Sequence, residues 1–134
     1  MAQAKAPKVA AAELAAACVE IAENHKAENV VKLEVGELSL IAEYFVICTA
    51  GSEPHLRAIE NHLGRELRRR FKVKPRSVDG APASQWIVMD FASVVVHLLT
   101  ENAREFYQLE NLWRNAPTLE ELEALAERVP ARKR

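Results

Sequence analysis

The order of elements along the 134-residue chain predicts a single α/β domain, a mixed β-sheet flanked by helices. Three observations carry that expectation. Apolar residues recur at helical spacing in separate stretches, Tyr44 to Ala50 is a nearly continuous apolar run, and two short apolar strands follow each other across a very short connection near residue 92.

Residues 1–9 read as a loose tail, residues 10–117 as the domain, and residues 118–134 as a C-terminal helix ending in the basic tail Arg132-Lys133-Arg134. In the first helix Leu14, Cys18, Ile21 and His25 step by four, three and four and share one face. From Val30 to Val35 the pattern alternates, with Val31, Leu33 and Val35 on one side and Lys32 and Glu34 on the other, as in a half-buried strand that Gly36 ends. The run Tyr44 to Ala50 fits a central strand covered on both faces. Gly51 and Ser52 turn the chain into a second helix, with Ser52 as N-cap and Pro54 in the first turn, where no intrahelical donor is lost. Its buried stripe is Leu56, Ile59, Leu63, Leu67 and Phe71.

Lys72 to Ser84 holds Pro75, Gly80 and Pro82 and reads as a loop with room for a short edge strand. Trp86 to Phe91 and Ser93 to Leu99 form an antiparallel hairpin. Ile87, Met89 and Phe91 suit the core, which turns Trp86, Val88 and Asp90 to the opposite face. Thr100 is placed to cap a third helix carrying Ala103, Phe106 and Tyr107. Thr118 and Glu121 then form a capping box ahead of a last helix that buries Leu119, Leu122, Leu125 and Val129.

Composition narrows the function. Hydrophobic residues make up 49% of the chain and the formal net charge is -1, so a core is affordable and no global pull toward nucleic acid or membrane exists. No apolar run is long enough to cross a bilayer, and Lys5, Pro7 and Lys8 interrupt the Ala-rich start, so neither a membrane segment nor a signal peptide is expected. Cys18 and Cys48 have neither metal nor framework spacing and read as reduced core thiols.

Several constellations could carry chemistry, and each has a plain structural reading beside it. Thr49-Ala50-Gly51-Ser52, between a strand and a helix, resembles the turn of the nucleotidyltransferase fold. That chemistry needs paired carboxylates on an adjacent strand, and Asp occurs only at Asp79 and Asp90, so a capped turn is the better reading and no cofactor or metal is expected. His25, His55, His62 and His97 share no ligand spacing; His62 and Glu66 offer only two ligands, and His97 reads as a structural histidine in an apolar strand. Arg65, Arg68, Arg69, Arg70, Lys72, Lys74 and Arg76 form a basic cluster opposed only by Glu66, either a solvated helix end or a contact for RNA phosphates. Glu101 to Glu127 is acid-rich and reads equally as a pair of solvated helices or as a docking face for a basic partner. Within and beside it, Trp86, Asp90, Tyr107, Leu109, Glu110 and Trp113 are the candidate partner-binding residues, with aromatic side chains as anchors; ordinary packing of the third helix on the sheet explains many of these residues equally well.

The same stretches resemble a known family. Leu38-Ser39-Leu40-Ile41-Ala42-Glu43-Tyr44-Phe45-Val46-Ile47-Cys48-Thr49-Ala50-Gly51-Ser52 is similar to the first block of the Iojap/RsfS ribosomal silencing factors. Trp86-Ile87-Val88-Met89-Asp90-Phe91 with Val94-Val95-Val96-His97 resembles the second. Glu101, Arg104, Tyr107, Leu109, Glu110, Leu112, Trp113, Ala116 and Pro117 resemble the closing pattern. Glu43 stands where Asp is usual, Ala92-Ser93 where Gly-Asp is frequent, and Asn115 where Asp is common. The resemblance covers roughly residues 14–117 and implies a nucleotidyltransferase-like topology without catalytic carboxylates. It implies a non-catalytic cytosolic protein of bacterial type that binds the large ribosomal subunit through ribosomal protein L-fourteen, keeps the small subunit from joining and represses translation. A homodimer stays open. The alternatives are a large-subunit assembly factor contacting ribosomal RNA through the basic cluster, and a degenerate nucleotidyltransferase acting at Gly51-Ser52.

Overall fold

A computed structural model describes residues 10–34 and 42–107. The first helix, α1 (Ala11–Asn24), buries Leu14, Ala15, Ala17, Cys18, Ile21 and Ala22, the face that the four-three-four spacing marks. Strand β1 (Glu28–Glu34) alternates half-buried and exposed residues from Val31 onward, as an edge strand does. Strand β2 (Tyr44–Ala50) is buried along nearly its whole length. Helix α2 (Glu53–Phe71) starts at Ser52, whose Oγ accepts a hydrogen bond from the His55 amide at 3.2 Å. It buries Leu56, Ile59, Leu63 and Leu67 and ends at Lys72 in a left-handed conformation.

The stretch after α2 is more ordered than a loop. Strand β3 (Ser77–Ala81) occupies one edge of the sheet and is followed by a single 3-10 turn, Pro82–Ser84. Prolines at residues 75 and 82 flank it without entering it, and Gly80 lies directly against its neighbour, β4 (Trp86–Asp90). A Cβ at Gly80 would come within 2.0 Å of the Trp86 carbonyl oxygen, and φ is +83° there, so only glycine fits. Strands β4 and β5 (Val94–Thr100) form the expected antiparallel hairpin. Ala92 occupies its turn with φ 73°, a conformation glycine adopts more cheaply. Helix α3 (Glu101–Tyr107) closes the described chain. Val35 and Gly36, and the expected helix after Pro117, lie outside the described residues.

The sheet order is β1-β2-β5-β4-β3. β2 and β5 run parallel and the other pairs antiparallel, so the sheet is mixed. Period-two alternation divides the strands between two cores. Val46, Cys48, Ala50, Val94, Val96, Leu98, Ile87 and Met89 pack with α1 and α2 on one face. Phe45, Ile47, Val95, Leu99 and Trp86 form a smaller cluster on the other, with Ala42 and with Ala103 of α3. Cys18 and Cys48 are free and buried in the first core, and burial raises both thiols to about 12, which keeps them protonated and unreactive at neutral pH.

Candidate functional site

The second face of the sheet brings together the polar groups that the sequence scatters. Register places Thr49 of β2 beside Leu99 of β5, and His97 between Ile47 and Val88. Thr100 ends β5 and begins α3. Its hydroxyl donates to Gln85 Oε1 at 2.8 Å and accepts from the Ala103 amide at 3.2 Å, so the expected cap forms.

One turn further on, Arg104 is only 6% exposed. Its Nη1 donates to the Asn29 carbonyl at 2.7 Å and to Thr49 Oγ1. The Asn29 carbonyl is available because the β1–β2 register slips between Glu28 and Val31, with Asn29 at φ 50°, a conformation asparagine tolerates. A buried guanidinium held by β1 and β2 is a strong tether, since hydrogen bonds from a charged donor exceed neutral ones. It fixes where α3 leaves the sheet.

Trp86 corrects the sequence expectation. It shares its strand face with Val88 and Asp90, but that face is covered there: the indole is 0% exposed and belongs to the second core. Its Nε1–H donates to His97 Nδ1 at 3.2 Å. His97 is 2% exposed, lies with its ring 5.0 Å from that of Phe45, and has no hydrogen-bond partner for Nε2 among the described residues. Burial lowers its pKa to about 3, so the ring is neutral at physiological pH. Trp86 is therefore a core residue with a polar handle and offers no surface to a partner.

Asp90 is likewise committed elsewhere. Its Oδ1 accepts from the Ala92 amide at 2.8 Å and pairs with Arg76 Nε at 3.2 Å, so the carboxylate holds the hairpin turn and the start of β3 together. Tyr107 lies in α3, while Leu109, Glu110 and Trp113 lie outside the described residues. The residues missed by sequence reasoning are Arg104 as a tether and its acceptors Asn29 and Thr49. Its partners stand 75 and 55 positions away, beyond any local signal.

A crevice of about 300 Å³ opens at the C-terminal ends of the parallel strands β2 and β5, lined by Gly51, Ser52, Glu53, Gln85, Thr100, Glu101 and Asn102. It contains the Gly51-Ser52 turn. The Gly51 amide already donates to His55 Nδ1 at 2.9 Å, and Glu53 and Glu101 bring negative charge to the walls. The His55 Nε2–H donates to the His25 carbonyl at 2.8 Å, and the His25 and His62 rings stack 3.6 Å apart. Desolvation and the neighbouring His62 lower the His25 pKa. Among the described residues no group of three His, Cys, Asp or Glu is arranged to hold a metal ion, and no helix is long and apolar enough to cross a membrane.

The comparisons agree with this architecture. The family model for the ribosomal silencing factor during starvation, RsfS, matches residues 8–134. A ribosomal silencing factor of Halalkalibacterium halodurans is 35% identical over 108 residues, covering 81% of this chain and 92% of the relative. One of Bacillus subtilis is 31% identical, covering 77% and 83%. The mouse protein named mitochondrial assembly of ribosomal large subunit protein 1 is 31% identical and covers 71% of this chain, with 42% of its own length matched. A crystal structure from Chromobacterium violaceum superposes with a TM-score of 0.74 at 22% identity, covering 83% of this chain and 92% of that one. One from Bacillus halodurans gives 0.61 at 31% identity, covering 76% and 91%.

Proposed function

The chain belongs to the ribosomal silencing factor family, and on that premise we propose that it represses translation by binding large-subunit ribosomal protein L-fourteen and blocking the approach of the small subunit. The observation that carries this reading is the tether of α3. Thr100 caps the helix and Arg104 bolts it to β1 and β2, so the chain leaving Tyr107 departs from a fixed point on the sheet. That segment holds Tyr107, Leu109, Glu110 and Trp113, the aromatic and acidic residues suited to a basic partner. Trp86, buried, contributes by holding the platform, while Asp90, half-buried, holds the hairpin turn.

The same reading makes the protein a steric blocker and not an enzyme. The crevice at Gly51-Ser52 would have to accept a triphosphate with its metal. Its glycine amide is already engaged by His55, and its carboxylates, Glu53 and Glu101, repel phosphate. The test is co-sedimentation of the purified protein with separated ribosomal subunits. Recovery with large subunits alone is expected; equal recovery with both subunits, or with neither, overturns the reading.

A further inference from the structure

The outward ridge of α2 is rich in cations. Between residues 57 and 76 the chain carries eight cations, Arg57, Arg65, Arg68, Arg69, Arg70, Lys72, Lys74 and Arg76, against two carboxylates, Glu60 and Glu66, although its overall charge is only -1. The structure sorts these cations into two sets. Arg70 turns inward along the flank, pairs with Glu20 of α1 at 3.0 Å and approaches Glu66 at 3.5 Å, so it straps the two helices together. Arg76 serves the hairpin through Asp90.

Arg57, Arg65, Arg68 and Arg69 are exposed along the helix, with Asn61 between them, and at 100° per residue they lie opposite the buried stripe of Leu56, Ile59, Leu63 and Leu67. Lys72 and Lys74 are exposed just beyond the helix end. From Arg57 to Arg69 the ridge is about 18 Å long at 1.5 Å per residue. Arg69 meets Glu66 at 2.6 Å but keeps 66% of its side chain exposed. Among the described residues no ion pair reaches Arg57, Arg65, Arg68 or Lys72.

Favourable interaction with the helix dipole accounts for cations in the last turn only. Arg57 sits in the first half of the helix, where the dipole opposes a positive charge, and Arg65 lies well before the last turn. This row of exposed cations, longer than the helix end requires, matches the spaced negative charges of a nucleic-acid backbone. We infer that this ridge binds the phosphate backbone of structured RNA. It supplies a second, sequence-independent contact, separate from the segment that docks on protein and independent of that reading.

The experiment is fluorescence anisotropy of the full chain with a labelled RNA hairpin across a salt series, alongside capture by purified L-fourteen. Four phosphate contacts give a slope of log affinity against log salt of roughly -3 to -4. Arg65→Gln/Arg68→Gln should weaken RNA binding about tenfold and reduce the slope by about 2, with capture by L-fourteen unchanged. Lys32→Gln, an exposed cation on the edge strand β1 and outside the ridge, should leave the slope as it is. An unchanged slope in the double variant overturns the inference. So does displacement of the RNA by an equal concentration of poly-glutamate, which would assign the ridge to an acidic protein. Loss of L-fourteen capture in the wild type alone would strike the docking reading and leave this one standing.

Discussion

On one face of the sheet, α1 and α2 meet a core of aliphatic side chains and two thiols; on the other, a smaller cluster is threaded by Trp86, His97, Thr49 and Arg104. The core of the first face needs only period and volume, with the polar contacts of Arg70 to Glu20 and of His55 to His25 at its rim. The second contains a buried donor-acceptor pair and a buried guanidinium, groups that cost free energy unless each finds a partner. The lesson is a division of labour: one face holds the fold, and the other spends stability on fixing where α3 departs.

The largest effect should come from emptying the first face. Leu63→Ala removes a side chain that is 0% exposed and should cost about 2–5 kcal/mol in urea unfolding, while the folded fraction still binds large subunits with normal affinity. A comparable loss of affinity per folded molecule would erase the distinction between the faces.

Arg104→Leu acts on the second face. It loses the charged-donor hydrogen bonds to Asn29 and Thr49 but relieves a buried charge, so a net cost of about 2 kcal/mol is expected. Here binding should suffer beyond stability: a drop of about tenfold or more in large-subunit affinity, measured on protein shown to be folded by circular dichroism. Unchanged affinity would detach α3 from docking.

His97 gives the second face a pH dependence. In the folded chain the ring stays neutral down to about 3, whereas its ordinary value is 6.5. Unfolding therefore takes up a proton between those limits, and stability falls as pH drops below about 6.5. The slope from this residue approaches about 1.4 kcal/mol per pH unit. His97→Asn keeps an acceptor for Trp86 Nε1 and should flatten the profile between pH 7 and 5.5. Parallel profiles would show that His97 is not the source.

The smallest effect sharpens the first face. Gly64 lies inside α2, and a Cβ there would meet nothing within 4 Å. Gly64→Ala should add about 1 kcal/mol of stability through helix propensity alone, with RNA and ribosome binding unchanged. A destabilised variant would mean that the helix packs more tightly at that position than its surroundings show.

The first face was legible in the sequence because its information is periodic. Leu56, Ile59, Leu63 and Leu67 announce their helix, Ser52 announces its start, and the hairpin declares itself by the short link at Ala92-Ser93. Strand β3 was harder to see, since Pro75, Gly80 and Pro82 carry loop signals, yet both prolines stand outside the strand and Gly80 fits where β4 comes close. The second face was misread at Trp86. Alternation correctly turned it away from Ile87 and Met89, but alternation cannot tell that Ala42 and Ala103, distant in the chain, complete a second core there. Arg104 was visible as part of a family pattern, but its purpose depends on a bulge at Asn29 that no spacing reveals.

The central claim is that a rigidly placed α3 and the segment after it occupy the surface the small subunit needs. Light scattering of subunit joining tests it most directly: purified large subunits are saturated with the protein before small subunits are added. The account predicts that joined ribosomes form more slowly and to a lower extent, and that Arg104→Leu restores joining. Joining at the normal rate and extent, with the protein still bound to the large subunit, would contradict it.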